Sequence, residues 1–294
     1  MTLFVGASTG RDLYDTVSEG SAAIVIREYS SSFGLASRLL AEPVRTQVRN
    51  VYALVRVADE IVDHPDPALG REPRATMLDR LADDLADAMR TGYSPNLVVH
   101  AFARTATAVG IESEIVDPFF ASMRMDLDTA AHTQESFDRY VHGSAEVVGL
   151  MCLRAFLAAP DGPSDPVGAY DDLAPGARSL GAAFQKLNFV RDLAEDHDVL
   201  HRDYFPGLEV EGFCDEDRDR ILDDIDDDLR ASAAVVPDLP ASSRRAVRAA
   251  HATFAELAAR LRRTPAAEIR RRRVRVPTAV KLRLAAGAVY GGHA

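Results

Sequence analysis

Apolar residues recur along almost the whole chain at spacings of three and four, the period of an amphipathic helix. Alternating, β-branched runs closed by hairpin turns are scarce. Breaks fall where Pro, Gly, Asp and Asn cluster, at "DHPDPALGREP", "TGYSPN", "APDGPSDPVG", "YFPGLEVEGF" and "VVPDLPASS". Between these breaks the pattern predicts helices at about 20–41, 44–63, 73–90, 95–109, 112–128, 135–158, 166–196, 215–233, 241–262 and 277–290. The abundance of Ala, Leu, Arg and Glu agrees with that reading. There is no internal repeat and no low-complexity linker. The expectation is one all-α domain over 1–294, a helical bundle, with 1–19 as a partly flexible N-terminal extension.

Two of these helices carry the pattern inside out. In "VYALVRVADEIVD", Tyr52, Arg56, Asp59 and Asp63 fall at i, i+4, i+7 and i+11 and form one narrow polar stripe. The rest of the segment is Val51, Ala53, Leu54, Val55, Val57, Ala58, Ile61 and Val62, with Glu60 the exception. A surface helix shows a broad polar face and an apolar stripe; a polar stripe on an apolar helix has to face an internal cavity, where charge requires a partner. In "AAFQKLNFVRDLAED", Gln185, Asn188, Asp192 and Asp196 repeat the arrangement at i, i+3, i+7 and i+11, with Arg191 beside them. Each D-x-x-x-D pair stacks like charges one turn apart, which destabilises an isolated helix. One reading is a buried ion pair of Arg56 with Asp59 or Asp63. The other, favoured because the design occurs twice, is a cation between the stripes, with oxygen-seeking Mg²⁺ as the candidate.

Other charged runs read differently. "LADDLADAM" holds Asp83, Asp84 and Asp87 opposite an apolar face of Leu78, Leu81, Leu85 and Met89, an ordinary solvated arrangement. "DDIDDDL" likewise places Asp223, Asp224, Asp227 and Asp228 around Ile221, Leu222, Ile225 and Leu229 and reads as a solvated acidic helix. "YSSSFGLASRLL" puts Ser30, Ser32 and Phe33 at a helix start or kink, where hydroxyls and free N–H groups either cap the helix or bind an anion. "HRDYFPG" places Arg202 and Tyr204 just after the second acidic pair. The run "IRRRRVRVP", Arg270 to Arg273 with Arg275, is either a solvated face or a surface for a diphosphate or an anionic membrane.

Composition narrows the partners. A net charge of −11 over 294 residues argues against nucleic acid, and 47% hydrophobic content suffices for a core. Cys152 and Cys214 have no metal-type spacing and are expected as reduced, buried thiols. The start "MTLFVGASTGRDLYD" lacks the basic and apolar regions of a signal peptide, and no run is long enough to span a bilayer. A cytoplasmic protein is expected.

The segments "YSSSF", "YALVRVADEIVD", "YVHGSAEVVG", "LGAAFQKLNFVRDLAED", "RDYFP" and "RVRVPTAVKL" together resemble the squalene/phytoene synthase family of head-to-head prenyl transferases, from about Tyr29 to Leu282. The resemblance implies an isoprenoid-synthase bundle around a central cavity. It implies Mg²⁺, or Mn²⁺ in its place, held by Asp59, Asp63, Asn188, Asp192 and Asp196, with the four aspartates, Tyr52 and Arg56 carrying catalysis. It further implies that Tyr29, Ser30, Ser32, Phe33, Tyr140, Gln185, Arg191, Tyr204 and Arg273 meet substrate. The implied activity is phytoene synthesis from two geranylgeranyl diphosphates, in carotenoid biosynthesis. A squalene or dehydrosqualene synthase using farnesyl diphosphate is the nearest alternative, and a non-catalytic helical lipid-binding or scaffold protein is a third. No NADPH is expected, since no G-x-G-x-x-G run is present and the C-terminal tail is short. Expected partners are prenyl diphosphates, the inner membrane surface as a peripheral contact, and carotenoid-pathway enzymes; nucleic acid is not. The chain departs from the family pattern at Glu60, at Glu146 in place of a glycine, at Phe254 in place of a tyrosine, and by one extra residue between Asp196 and Tyr204.

Overall fold

The fold was obtained as a computed structural model, which describes residues 10–64 and 68–290. Helices α1 (Gly10–Tyr29), α2 (Ser31–Ser37), α3 (Val44–Val62), α4 (Arg71–Thr91), α5 (Leu97–Val109) and α6 (Ser113–Asp128) form the first half. Then come α7 (Gln134–Val141), α8 (Val147–Leu157), α9 (Pro166–Asp198), α10 (Asp215–Val235), α11 (Ala241–Arg263), α12 (Ala266–Ile269) and α13 (Thr278–Tyr290). Among the described residues there are no strands, only an isolated bridge between Ala131 and Asp203. The all-α single-domain expectation holds.

The helix ends follow local chemistry. Asn96 accepts from the N–H groups of Val98 and Val99 to start α5, and Asp165 with Pro166 starts α9. The helix predicted at 20–41 is instead two. Ser30 adopts an extended conformation and its hydroxyl accepts from the Phe33 N–H at 3.1 Å, ending α1 and capping α2. Residues 10–19 are helical as well, which corrects the expected extension; residues 1–9 lie outside the described residues. That first turn region is polar and holds its conformation through tertiary bonds. The Tyr14 hydroxyl donates to the Ser94 carbonyl at 2.9 Å, and Asp15 lies 2.7 Å from the buried His100 Nε2.

The helix predicted over 135–158 runs as α7 and α8 joined by a π-helical turn, His142–Glu146. Two glycines explain the packing there. A Cβ on Gly143 would stand 2.0 Å from Ser122 Oγ on α6. A Cβ on Gly181 of α9 would stand 2.4 Å from the Ala145 carbonyl and 3.1 Å from Glu146 Cα. The close approach therefore comes from Gly181, across from Glu146, whose own side chain turns aside to His142 Nδ1 at 2.8 Å.

One apolar cluster, including Leu54, Leu78, Leu85, Phe102, Phe119 and Met151, joins α3, α4, α5, α6 and α8. A second, including Leu187, Leu222, Ile225 and Leu261, joins α9, α10 and α11. Each such fully buried side chain contributes about 1.5–3 kcal/mol by transfer. The acids of α10 are more engaged than the solvated reading allowed: Lys186 of α9 donates to Asp224 at 2.6 Å and Asp228 at 2.9 Å, and Arg262 of α11 pairs with Asp223 and Asp226. On α4, Asp83 and Asp87 are exposed, while Asp84 accepts from the Ser94 hydroxyl at 3.0 Å. Both cysteines are free, but Cys214 is exposed, against expectation; burial pushes the Cys152 thiol up to about 12. No helix among the described residues is long and apolar enough to cross a membrane.

Candidate active site

The two inverted stripes lie on α3 and α9, and the structure links them through the loop that follows α9. Asp63 caps the C-terminus of α3. His201 takes a left-handed backbone (φ 56°) in this loop, and Arg202 then turns inward. The Arg202 guanidinium is 7% exposed. It donates to Asp63 Oδ1 at 2.6 Å, to the Val62 carbonyl at 3.1 Å and to the Tyr204 hydroxyl at 3.3 Å. A fourth partner is Asp126 of α6, at 3.5 Å. Asp126 in turn accepts from the hydroxyls of Tyr140, at 2.9 Å, and Tyr204, at 3.1 Å. One arginine and one buried acid thus tie α3, α6, α7 and the post-α9 loop into a single network, with the Tyr204 ring stacked on Phe189 at 4.0 Å.

The carboxylates differ in their neutralisation. Asp192 is clamped by Arg191 beside it, and by Arg273 from the α12–α13 connection at 2.7 Å. Asp63 has Arg202. Asp59 and Asp196 form no salt bridge among the described residues, and both are pushed up to about 8. Burial is the main cause for each, followed by the neighbouring carboxylate one turn away, Asp63 for Asp59 and Asp192 for Asp196. Asp63 also raises Asp196, so the two stripes sense one another across the site. Burial raises Asp126 to about 6 against the opposing pull of Arg202.

The polar end of this region continues into an aromatic wall. Tyr52 is half-buried and has its hydroxyl pKa raised by burial. Phe33 packs against Tyr52 at 6.4 Å, Phe184 at 5.6 Å and Phe254 at 5.5 Å, and Phe184 stacks on Phe254 at 3.8 Å. At position 254 the ring thus fills space rather than presenting a hydroxyl. Arg56 sits 4.5 Å over the exposed Tyr29 ring and pairs with Glu60. This takes the place of the ion pair of Arg56 with Asp59 or Asp63 that the sequence left as the alternative to a cation between the stripes. Gln185 and Asn188 are half-buried on α9, while the Ser32 side chain lies outside the described residues.

Two features bear on a metal. The Asn188 Oδ1 atom is buried without a hydrogen-bond partner, and the acids of the site are hard oxygen donors, of which Asp59 and Asp196 form no salt bridge among the described residues. Among the described residues no three Asp, Glu, His or Cys side chains group tightly enough to cage an ion.

Residues 26–279 match the squalene/phytoene synthase family over most of the chain. The chain belongs to this family. Phytoene synthase 3, chloroplastic, of Zea mays is 30% identical over 198 residues, covering 66% of this chain and 44% of that protein. Presqualene diphosphate synthase of Rhodopseudomonas palustris is 29% identical over 168 residues, covering 56% of this chain and 55% of that one. The chain thus spans about half the length of these two relatives. It aligns more fully with the 15-cis-phytoene synthase of Enterobacter agglomerans, at 27% identity over 78% of this chain and 80% of that protein. Among solved structures, a dehydrosqualene synthase superposes with a TM-score of 0.75 at 19% identity, covering 94% of this chain and 97% of the other. The squalene synthase HpnC from Alicyclobacillus acidocaldarius gives 0.71 at 18% identity, covering 85% and 95%. At these identities the superpositions establish the isoprenoid-synthase fold.

Asp126 is the member of the network that sequence reasoning missed. Its signal is present: Ile115, Phe119, Ser122 and Asp126 follow i, i+4, i+7 and i+11 on one face of α6, three buried residues leading to an acid. The pairing of Asp192 with Arg273, 81 positions away, has no counterpart in local pattern.

Proposed function

We propose that this chain is a Mg²⁺-dependent prenyltransferase that joins two geranylgeranyl diphosphates head to head to give phytoene, in carotenoid biosynthesis. Membership of the family supports prenyl transfer. The observation that carries the site assignment is the pair of half-buried carboxyls without a salt bridge, Asp59 and Asp196, one on each stripe, with the unpartnered Asn188 oxygen on the second stripe.

Asp59, Asp63, Asn188, Asp192 and Asp196 would hold the ions. Bound Mg²⁺ would supply positive charge to the departing diphosphate. Around it the chain's own residues divide the work. Arg191 and Arg273, adjacent to Asp192, present guanidinium forks suited to phosphate oxygens. Arg202 and Asp126 fix the end of α3 and hold the Tyr140 and Tyr204 hydroxyls. Phe33, Phe184 and Phe254 form an apolar wall that keeps water from allylic cations. In the reaction the donor C–O bond breaks with its electron pair leaving on diphosphate. The acceptor double bond attacks the allylic cation, and proton loss closes a cyclopropylcarbinyl diphosphate. A second loss of diphosphate, ring rearrangement and proton loss give the triene.

A C15 reading has its own support in the presqualene diphosphate synthase and dehydrosqualene synthase likenesses. Incubation of the chain with Mg²⁺ and geranylgeranyl or farnesyl diphosphate, with and without NADPH, separates the readings. Phytoene from the C20 substrate alone supports the proposal. Turnover confined to farnesyl diphosphate, or a cyclopropyl diphosphate that accumulates until NADPH is added, overturns it.

A further inference from the structure

Outside the acidic site, the last turn of α11 and the loop before α13 enclose a hollow of about 460 Å³. Its lining includes Arg260, Arg263, Arg272, Arg273 and Arg275 with Thr264, and no acidic side chain. This concentration of cations occurs on a chain whose net charge is −11. Some of the lining arginines are committed. Arg260 is held by Glu256 at 2.7 Å, Arg272 by Glu268, and Arg273 by Asp192 at the edge of the active site. Arg263 and Arg275 form no salt bridge among the described residues, and both are exposed.

Arginines in the last turn of a helix are favoured by the helix dipole, which accounts for Arg260 and Arg263 one at a time. It does not account for a second bank, Arg272 to Arg275, folded back against them across a hollow. Like charges so arranged repel unless an anion lies between them. Guanidinium forks match phosphate oxygens two at a time, and the hollow admits a group of that size.

We propose that this hollow is a second anion site, separate from the acidic metal-binding stripes, which takes a phosphate or diphosphate group through Arg263, Arg275 and Arg260. The group reaches it either as free diphosphate or as the headgroup of an anionic lipid. The recognising chemistry is the same for both, and the two sources are separable by experiment.

The test uses the full chain in EDTA, so that the acidic stripes repel anions. Inorganic diphosphate is titrated by calorimetry, and vesicles containing phosphatidic acid are tested by co-sedimentation. The wild type should bind diphosphate, vesicles or both. The double variant Arg263→Gln/Arg275→Gln should lose at least tenfold in whichever affinity is present, with unchanged circular dichroism. Arg263→Lys/Arg275→Lys should recover only part of the loss, because it restores charge without the fork. Asp59→Asn should bind as the wild type does. Diphosphate binding without vesicle binding assigns a soluble ligand, and the converse assigns a lipid headgroup. The proposal is overturned if the wild type binds neither probe, or if the double Gln variant binds as tightly as the wild type.

Discussion

Replacing Arg202 by Met tests the network that joins the two stripes. The substitution keeps an unbranched apolar stem, shortens the side chain by the guanidinium, and removes its charge from a site 7% exposed. Asp63, 37% exposed, would be solvated by water, so its share of the loss is screened. Asp126, 4% exposed, would be left as an uncompensated buried acid, and removing one partner of such a pair costs about 3–5 kcal/mol. Most of the effect should therefore pass through Asp126. The double variant Arg202→Met/Asp126→Asn removes the stranded charge while leaving an amide for Tyr140 and Tyr204. It should be more stable than Arg202→Met alone, with a coupling above about 1 kcal/mol. pH gives a second readout. Asp126 has a folded value of about 6, above its ordinary 3.8, so its neutral form is the one the fold favours. Near pH 5 the folded acid is largely protonated with or without Arg202, and the deficit of Arg202→Met should be small. It should grow as pH rises through 6 toward 8, where only the wild type has a cation beside the charged form. Urea unfolding followed by circular dichroism at pH 5, 6.5 and 8 measures all of this. A deficit below about 1 kcal/mol at pH 8, or a double variant no better than additive, would refute the assignment of Asp126 and Arg202 as one unit.

The remaining predictions concern the stripes and the bundle around them. Asp59→Asn or Asp192→Asn should abolish prenyl transfer with the fold intact by circular dichroism; near-normal turnover at saturating Mg²⁺ would remove those residues as metal ligands. In EDTA, Asp59→Asn should melt higher than the wild type, and the gain should be absent near pH 4 and greatest above pH 8. The reason is that an acid raised from 3.8 to about 8 opposes folding increasingly across that window. Asp83→Asn with Asp87→Asn should leave turnover within about twofold, since both are exposed on α4; a loss like that of Asp59→Asn would mean the wrong acids were chosen. Gly181→Val should destabilise by about 1–3 kcal/mol in urea, because even its Cβ would lie 2.4 Å from the Ala145 carbonyl; an unchanged midpoint would show that α9 can move off the π turn.

Most helices were legible because apolar period and cap chemistry agree in this chain, as at Asn96 and at Asp165 with Pro166. The misses have a common cause. Residues 10–19, "GRDLYDTVSE", lack a clear apolar stripe; their helix is held by bonds from Tyr14 and Asp15 to residues on and before α5, which no local pattern contains. The pairing of Arg56 with Glu60 was legible as an i,i+4 pair and was passed over because Asp59 and Asp63 shared the stripe. Asp126 stands as a lone acid at the end of a buried face of Ile115, Phe119 and Ser122, a weaker signal than a polar stripe carrying two acids. Arg273 reaches Asp192 across 81 positions, and only the completed bundle brings them together.

The distribution of positive charge explains why the acids can be gathered here at all. Arg202 answers Asp63 and Asp126, and Arg191 with Arg273 answers Asp192. Arg202 and Arg273 come from outside both stripes and Arg191 flanks the second, so Asp63, Asp126 and Asp192 each have a cation where the helices bring them together. Asp59 and Asp196 are what remains after this neutralisation, one from each stripe, both half-buried and both raised to about 8. Structural stability alone would favour an amide or an apolar residue at either position, because a buried carboxyl without a cation opposes folding at neutral pH. Under the proposed function, the Mg²⁺ that comes with the diphosphate would be the positive partner of both. The same reasoning identifies these two positions, rather than Asp63 or Asp126, as the ones where substitution should raise stability while ending activity.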